Sequence, residues 1–564
     1  MPNRFFQSRR LEPCLALATL ALGFFHAWLG RYSMDPDGIS YLDIGQSFFR
    51  RDWPNAVNSY WSPLYPWTLG LILGVVDPSP RKEFVAACLV NFVIFALALL
   101  AFRFLLHTLI AFHSEGAPGQ SPDAPLPLPQ WMMLTLGYVI FLWIALEVDP
   151  PWETTPDLAV LAFTCLAAGV LLRLHPTGKI WTFAFFGLIL AAGYWTKAIL
   201  FPLGFVTLAA AYWWKRSIPG WRTRLLIATL FFLAASAPLI FLLSHQKARF
   251  TFGDSGKLNY AWFISPRTFW RNWQGGILGS GIPAHPTRQL LRHPDLFEFD
   301  GPVLGTYPPW TDPSYWNEGL KWHFRLKPQL EQLATTTASE VRLLFRVRPD
   351  LITAVIILAL LSGGIWLSTS RQLWPLLAIS GVGMGIYLPL FENDRYLGGF
   401  VLVIFLTLFA AVRLRPTAQN VAAYVTLAVS FTMLLATADY TVRLATHHFA
   451  IPGTGPNSTL QDITAAEDLW QVGLHPGDKV AVIMNGTGAY WAHLAKVRIV
   501  AEIMETGHGT KEFWDSSPEV QQQVFHLFAQ AHAKLAVTTC PPNPALQKDW
   551  QPLPATPYCI HRLN

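Results

Sequence analysis

What most limits how this chain can fold is the recurrence of long apolar runs with almost no charge inside them. LEPCLALATLALGFFHAWLG, FVAACLVNFVIFALALLAFRFLLHTLI and LLIATLFFLAASAPLIFLLS are three of them. Each reaches about 20 residues or more, the length that carries an α-helix across a bilayer. In water such runs would have to be buried on every side, and the chain has too few polar residues to cover them all. Only 13% of its residues are charged and 52% are hydrophobic, with a mean hydropathy of +0.32. An ordinary soluble domain carries about 25% charged residues. The class is therefore an α-helical polytopic membrane protein. The net charge of +6 is accounted for by basic inner loops. No basic run accompanies a groove-reading motif, which excludes nucleic acid as a partner.

Taken in order, the apolar runs and the Lys/Arg positions predict about 11 transmembrane helices. The first covers about Leu11 to Gly30 and follows Arg4, Arg9 and Arg10, so the N-terminus is expected inside and the run reads as a retained anchor. Residues 31–83 then form a first outer loop. It ends in WTLGLILGVV, too short to span, which is expected to be re-entrant or interfacial. GAPGQSPDAPLPLP is a Pro-rich link without core-forming pattern. Two apolar segments flank YWTKAI, and a long outer loop covers residues 245–350. Leu351 to Leu367 is expected as one helix, and the last span lies at about Val421 to Ala438. Residues 1–440 thus form the transmembrane domain.

From about Pro452 the pattern changes. KVAVI, VRIVAEI, KLAVTTC and PYCIHRL read as short buried strands, and PEVQQQVFHLFAQAHA as an amphipathic helix. Residues 452–564 are therefore expected as a small α/β domain, extracytoplasmic if the span count is odd. No GK[ST] follows the NGTG turn, so it is not a phosphate loop. Cys14, Cys88 and Cys165 lie in apolar runs and read as core residues. Cys540 and Cys559 can pair if the tail lies in an oxidising compartment.

The chemistry-bearing residues gather in the outer loops. Asp35-Pro36-Asp37-Gly38 can open a helix, with Asp35 as cap and Pro36 at its first position. A capped helix also holds a carboxylate rigidly at the membrane surface, where it can act as a general base. Tyr41, Trp61 and Tyr65 surround this stretch with rings suited to headgroup depth. Glu147, Asp149, Glu153 and Asp157 cluster around the second outer loop, and Glu392, Asp394 and Arg395 form a further candidate ion cluster. Lys197 lies between two apolar runs and can either snorkel to the surface or hold a phosphate in a cavity.

Together these spots resemble the C-type polytopic glycosyltransferases that use lipid-phosphate-linked sugars. The likeness is to the branch with protein mannosyltransferases, aminoarabinose transferases and bacterial lipopolysaccharide-core transferases. An acid followed by Tyr opens the first outer loop (Asp37-Gly38-Ile39-Ser40-Tyr41), WSPLYPWTLGL closes it, and TPDLAVLAF, YWTKAILFPL and DRYLGGF follow in order. The chain departs from the family where Asp-Glu commonly stands and Asp37-Gly38 is found, with Asp35 two residues earlier. The resemblance implies a multi-pass plasma (inner) membrane glycosyltransferase, a hexosyl- or pentosyltransferase. Its donor is a sugar on a polyprenyl phosphate and its extracytoplasmic acceptor a lipid, glycan or protein, with inversion at the sugar carbon. It implies Asp37, or Asp35 in its place, as catalytic base. Tyr41, Trp61, Tyr65, Asp157, Lys197, Arg395 and Tyr396 are then the substrate-binding residues, and Lys197 and Arg395 take the phosphate. A divalent metal would compete for that phosphate role, and the sequence leaves its presence open. A transporter or flippase of a lipid-linked or small polar substrate is the rival reading. It calls for polar residues at mid-membrane in paired broken helices and an internal repeat, and neither is evident.

Overall fold

The computed structural model describes residues 10–114, 125–346, 348–390, 393–450, 459–505, 509–541 and 549–563. Arg4, Arg9, Glu392 and most of the Pro-rich link lie outside them. Among the described residues, five helices are long and apolar enough to cross a membrane: Leu11–Leu29, Pro80–Phe112, Gln130–Val148, Trp221–Gln246 and Pro416–Thr446. The expected helix over Leu351 to Leu367 is instead a pair, Pro349–Ser362 and Gly364–Gln372, bent by 109°. The bend falls at Gly363, whose φ of 61° suits a residue without a Cβ. Counting this pair as one span gives six. The expected count of about 11 also takes in the shorter helices Asp157–Arg173, Ile180–Thr196, Leu200–Lys215, Trp374–Gly385 and Gly398–Ala410.

The helices pack as a bundle around an aromatic and aliphatic core. Pro80–Ser114 lies along Asp157–Arg173, and Ile180–Thr196 along Trp221–Gln246. Gly187 allows the second contact, since a methyl there would overlap the carbonyl of Ala228. Phe102, Tyr138, Phe141 and Trp143 are fully buried between the helices. Lipid-facing positions such as Leu97, Leu100 and Leu360 carry large exposed apolar side chains, as a membrane-embedded surface requires.

The segment expected as the first outer loop folds into two helices, Pro36–Phe49 and Leu64–Val76. The first starts where the sequence predicts. The Gly38 amide donates to Asp35 Oδ1 at 2.8 Å, and Pro36 takes the first position. The two helices cross with Gly45 against Gly70, too close for any side chain.

The tail builds a sheet together with part of the long loop. Its strands are β1 (Arg288–Arg292), β2 (Asp295–Glu298), β3 (Lys479–Ile483), β4 (Arg498–Ile503), β5 (Leu535–Thr539), β6 (Gln551–Pro552) and β7 (Tyr558–Arg562). Their order is β1-β2-β4-β3-β5-β7-β6, with β3 parallel to both β4 and β5. β2 pairs antiparallel with β4, Leu296 opposite Ile503. Two strands from residues 288–298 thus extend the sheet that the sequence assigns to the tail alone. Helix Pro518–Gln530 buries Val524 and Phe528 against one face of the sheet. Cys540, just after β5, and Cys559 in β7 form a disulfide.

The tail is fastened to the first outer loop by a buried histidine. His493, in helix Tyr490–Leu494, makes Nδ1 and Nε2 contacts with Asp43 Oδ1 at 2.9 Å and Glu83 Oε1 at 3.0 Å. Asp43 also accepts from the Thr306 amide and hydroxyl, 2.7 and 2.9 Å. These bonds tie the helix that starts at Asp35 to the long loop and the tail together.

Candidate active site

Asp37, in the first turn of Pro36–Phe49, faces a cavity of about 850 Å³. Four other elements supply its polar lining. Asp157 opens helix Asp157–Arg173, and Lys197 caps the break between Ile180–Thr196 and Leu200–Lys215. Arg395 and Tyr396 sit in the short turn Asp394–Tyr396 before Gly398–Ala410. Lys257 comes from helix Ser255–Phe263 of the long loop. The rest of the wall is mostly apolar and aromatic, with Tyr41, Tyr60, Trp61, Phe252 and Trp322 among it.

Arg395 is the hub. Its Nη2 meets Asp37 Oδ2 at 2.7 Å, its Nη1 meets Glu153 Oε2 at 3.5 Å, and its Nε lies 3.4 Å from Asp157 Oδ2. The other Asp157 oxygen accepts from Lys197 Nζ at 2.5 Å. That ammonium also lies 3.6 Å from the centre of the Tyr396 ring, a cation–π contact. Lys197 therefore faces the cavity in an ion pair, not the lipid. Asp37 is held from its other side by Trp310, whose Nε1 donates to Oδ1 at 3.3 Å.

Of the remaining sequence candidates, Tyr41 and Trp61 line the cavity while Asp35 and Tyr65 stand further back. Asp35 does not line the cavity. It caps the helix, and burial with Asp37 close by pushes its carboxyl up to about 7. Tyr65 also lies behind the wall: its hydroxyl donates to Asn91 Oδ1 at 2.7 Å, and its ring meets the edge of Tyr41. Trp61 reaches the cavity, with its Nε1 donating to the Trp310 carbonyl at 3.1 Å. Glu147 faces elsewhere, paired with Arg348 at 3.2 Å. Asp394 is half-buried at the start of its turn and does not line the cavity.

Two acids of the second outer loop join the cluster. Burial raises the Glu153 carboxyl against the pull of Arg395. Asp149 is buried against Gly398, with no hydrogen-bond partner on either oxygen, and burial followed by the charge of Asp157 holds it well above the usual carboxylate range. Lys257 is the residue that sequence reasoning passed over. Unlike Lys197 and Arg395, it takes part in no ion pair among the described residues, and burial lowers its pKa. In the sequence it is one of several lysines in a long loop, and nothing local sets it apart.

The donor set does not fit a divalent cation. The position between Asp37, Glu153 and Asp157 is filled by the Arg395 guanidinium. Among the described residues no group of three His, Cys, Asp or Glu is placed to hold a metal.

Helix order, the candidate spans and the sheet-bearing tail give an α-helical fold that is shared with solved C-type glycosyltransferases. Among solved structures, the chain is similar to ArnT from Cupriavidus metallidurans bound to undecaprenyl phosphate. The TM-score is 0.55 at 12% identity, over 98% of both chains. The apo form of that protein matches at 0.53 and 11%, over 96% of this chain and 97% of that one. The Archaeoglobus fulgidus oligosaccharyltransferase in its apo form matches at 0.51 and 12%, over 94% of this chain and 70% of that one. At these identities the likeness is one of fold. No family model matches the chain, and neither does any curated protein.

Proposed function

We propose that this chain is an integral membrane glycosyltransferase that transfers a sugar from a polyprenyl-phosphate donor to an extracytoplasmic acceptor, with inversion. The observation that carries the reading is the Asp37–Arg395 pair, 2.7 Å apart on the wall of a largely apolar 850 Å³ cavity. The apolar wall suits a prenyl chain, and the cationic groups suit a phosphate. The solved relative that binds undecaprenyl phosphate agrees with a donor of this chemistry.

The geometry suggests an order of events. Arg395 and Lys197 are already neutralised by Asp37, Glu153 and Asp157, so Lys257 is the first cation that an arriving phosphate meets. Once seated, the phosphate competes with Asp37 for Arg395 through charge-assisted bonds. Release from Arg395 frees Asp37 Oδ2 to accept a hydrogen bond from the acceptor hydroxyl. The acceptor hydroxyl then attacks the anomeric carbon from the face opposite the phosphate, and its proton passes to Asp37. The bond from carbon to phosphate oxygen breaks, and the polyprenyl phosphate leaves with the electron pair, its charge held by Arg395, Lys197 and Lys257. The Cys540–Cys559 disulfide suits a tail outside the reducing cytosol, on the same side as the acceptor.

Asp37→Asn tests the reading. It keeps the size of the side chain and removes its proton affinity, so transfer should fall by about 10²–10⁴-fold while donor binding persists. Near-normal transfer by Asp37→Asn, with transfer abolished in Asp35→Asn, would move the base to Asp35. Normal transfer by both would overturn the reading.

A further inference from the structure

Helix Leu326–Val341 faces the wrong way for a helix in water. Its buried residues are Gln329, Thr336 and Glu340. Gln329 accepts from the Tyr260 hydroxyl at 2.9 Å and donates to the Pro389 carbonyl at 3.1 Å, and the Thr336 hydroxyl donates to the Leu388 carbonyl at 2.6 Å. The polar face is thus spent on the loop that follows helix Trp374–Gly385. The opposite face turns Leu326, Leu330 and Val341 outward, the first two 63% and 55% exposed. An amphipathic helix on a soluble protein does the reverse.

A second apolar surface lies beside it. Residues 280–284 run against residues 318–321, with the Lys321 amide donating to the Ser280 carbonyl and the Ala284 amide to the Glu318 carbonyl. The turn this makes leaves Leu278 and Ile282 at 94% and 84% exposure, with Phe324 exposed next to the helix start. Lys321, Arg325 and Lys327 are exposed among these side chains. Trp322, between them in sequence, lines the active-site cavity and packs its ring edge against Tyr260.

We propose that the 277–282 turn and helix Leu326–Val341 form one membrane-docking surface, inserted into the headgroup and upper acyl region of the leaflet on the cavity's side. The occupant is the bilayer itself, with anionic headgroups at the basic rim. Three observations converge on it. Leu326, Leu330 and Val341 are exposed, beside Glu331 and Thr337, on a helix whose buried Gln329 and Thr336 are hydrogen-bonded inside. Cations flank the apolar side chains, the arrangement of helices that lie in the interface and bind anionic lipid. The surface is continuous through Trp322 with a cavity whose own wall is mostly apolar. Trp322 then stands at the lipid-side lip of that cavity, where a long chain anchored in the leaflet can reach it without crossing water. This last step rests on the proposed function; the docking itself does not.

The test reads depth, not transfer. Leu278→Cys and Leu330→Cys are made separately, labelled with an environment-sensitive fluorophore and reconstituted in phosphatidylcholine containing some phosphatidylglycerol. Quenching by lipids brominated along the acyl chain is then measured. Leu360→Cys, on the exposed face of Pro349–Ser362, marks full lipid contact, and Glu519→Cys, on the exposed face of the tail helix, marks water. The parent chain labelled in parallel sets the background from Cys14. Both probes should be quenched to an extent comparable with Leu360→Cys. Quenching no greater than at Glu519→Cys would overturn the proposal and leave the surface to a protein partner. Quenching at one site alone would overturn the single continuous surface. Because no sugar transfer is read, failure of the catalytic reading would not affect the outcome.

Discussion

Among the individual residues, Lys257 separates what is already neutralised from what is free. Arg395 and Lys197 have their acids, and replacing either one also disturbs Asp157, which both of them contact. Replacing Lys257 leaves nothing behind, so its loss reports on the ligand. A hydrogen bond to a charged group contributes about 1.5–3 kcal/mol. Lys257→Ala should therefore raise the KM for a polyprenyl-phosphate sugar by about 10–100-fold, with kcat changed far less and protein abundance intact. Lys257→Arg should recover most of the loss. An unchanged KM in steady-state transfer assays would remove Lys257 from the phosphate site. The contrast with Asp37 shows where the sequence could be read. Asp35, Pro36 and Asp37 announce a helix start by local chemistry, and a charge at a helix start beside apolar runs has few places to go. Arg395 and Lys197 interrupt apolar stretches and stand out for the same reason. Lys257 stands in a polar loop, and only the fold brings its helix against the cavity.

The elements that hold this geometry are tied together by His493. Burial alone would lower its pKa, yet Glu83 and Asp43 on its two nitrogens raise it to about 10. The fold therefore prefers the protonated ring. Its contribution to stability is complete below the ordinary value of about 6.5 and is lost as pH rises towards 10. Removing one partner of such a buried pair costs about 3–5 kcal/mol. His493→Gln should lower the melting temperature of the purified protein near pH 6.5, and the gap to wild type should narrow steadily towards pH 10 in thermal-denaturation scans. A gap independent of pH would mean that the ring acts by packing alone. Sequence pattern found the tail's own strands, because Val480, Val482, Ile499 and Val537 sit in short apolar runs bounded by turns. It did not find β1 and β2. RQLLR and DLFE carry too few apolar residues to signal a strand, and what makes them strands is an edge some 200 residues away on β4. The break at Gly363 was missed for the opposite reason: the apolar run continues through it, and hydropathy does not register a change of direction.

At the scale of the whole molecule, the sheet and the bundle do not divide where the composition changes. Residues 452–564 read as a separate domain, yet the long loop gives that domain two strands, and the first outer loop meets it through Asp43 and His493. Phe299 and Thr306 of the long loop share backbone bonds with Val500 and Ile499. Helix Pro36–Phe49, which carries Asp37, is therefore positioned by three parts of the chain: the spans, the long loop and the tail. A chain ending after Ala450 keeps every candidate span and every residue that lines the cavity. If the tail were an independent appendage, that chain would remain folded and transfer sugar. The shared sheet leads to the other expectation. Without β4, strands β1 and β2 lose the edge they pair with, Leu296 loses its cover, and Asp43 and the half-buried Glu83 lose the His493 ring between them. An exposed apolar hairpin and two uncompensated charges are each costly. The truncated protein should give lower yield, a broad or aggregated elution profile, and transfer reduced at least as far as in Asp37→Asn. Supplying residues 452–564 as a separate polypeptide should restore little, because that fragment presents an open β4 edge of its own. A monodisperse truncated chain with transfer near wild type would show instead that the loops position Asp37 and Arg395 without the tail.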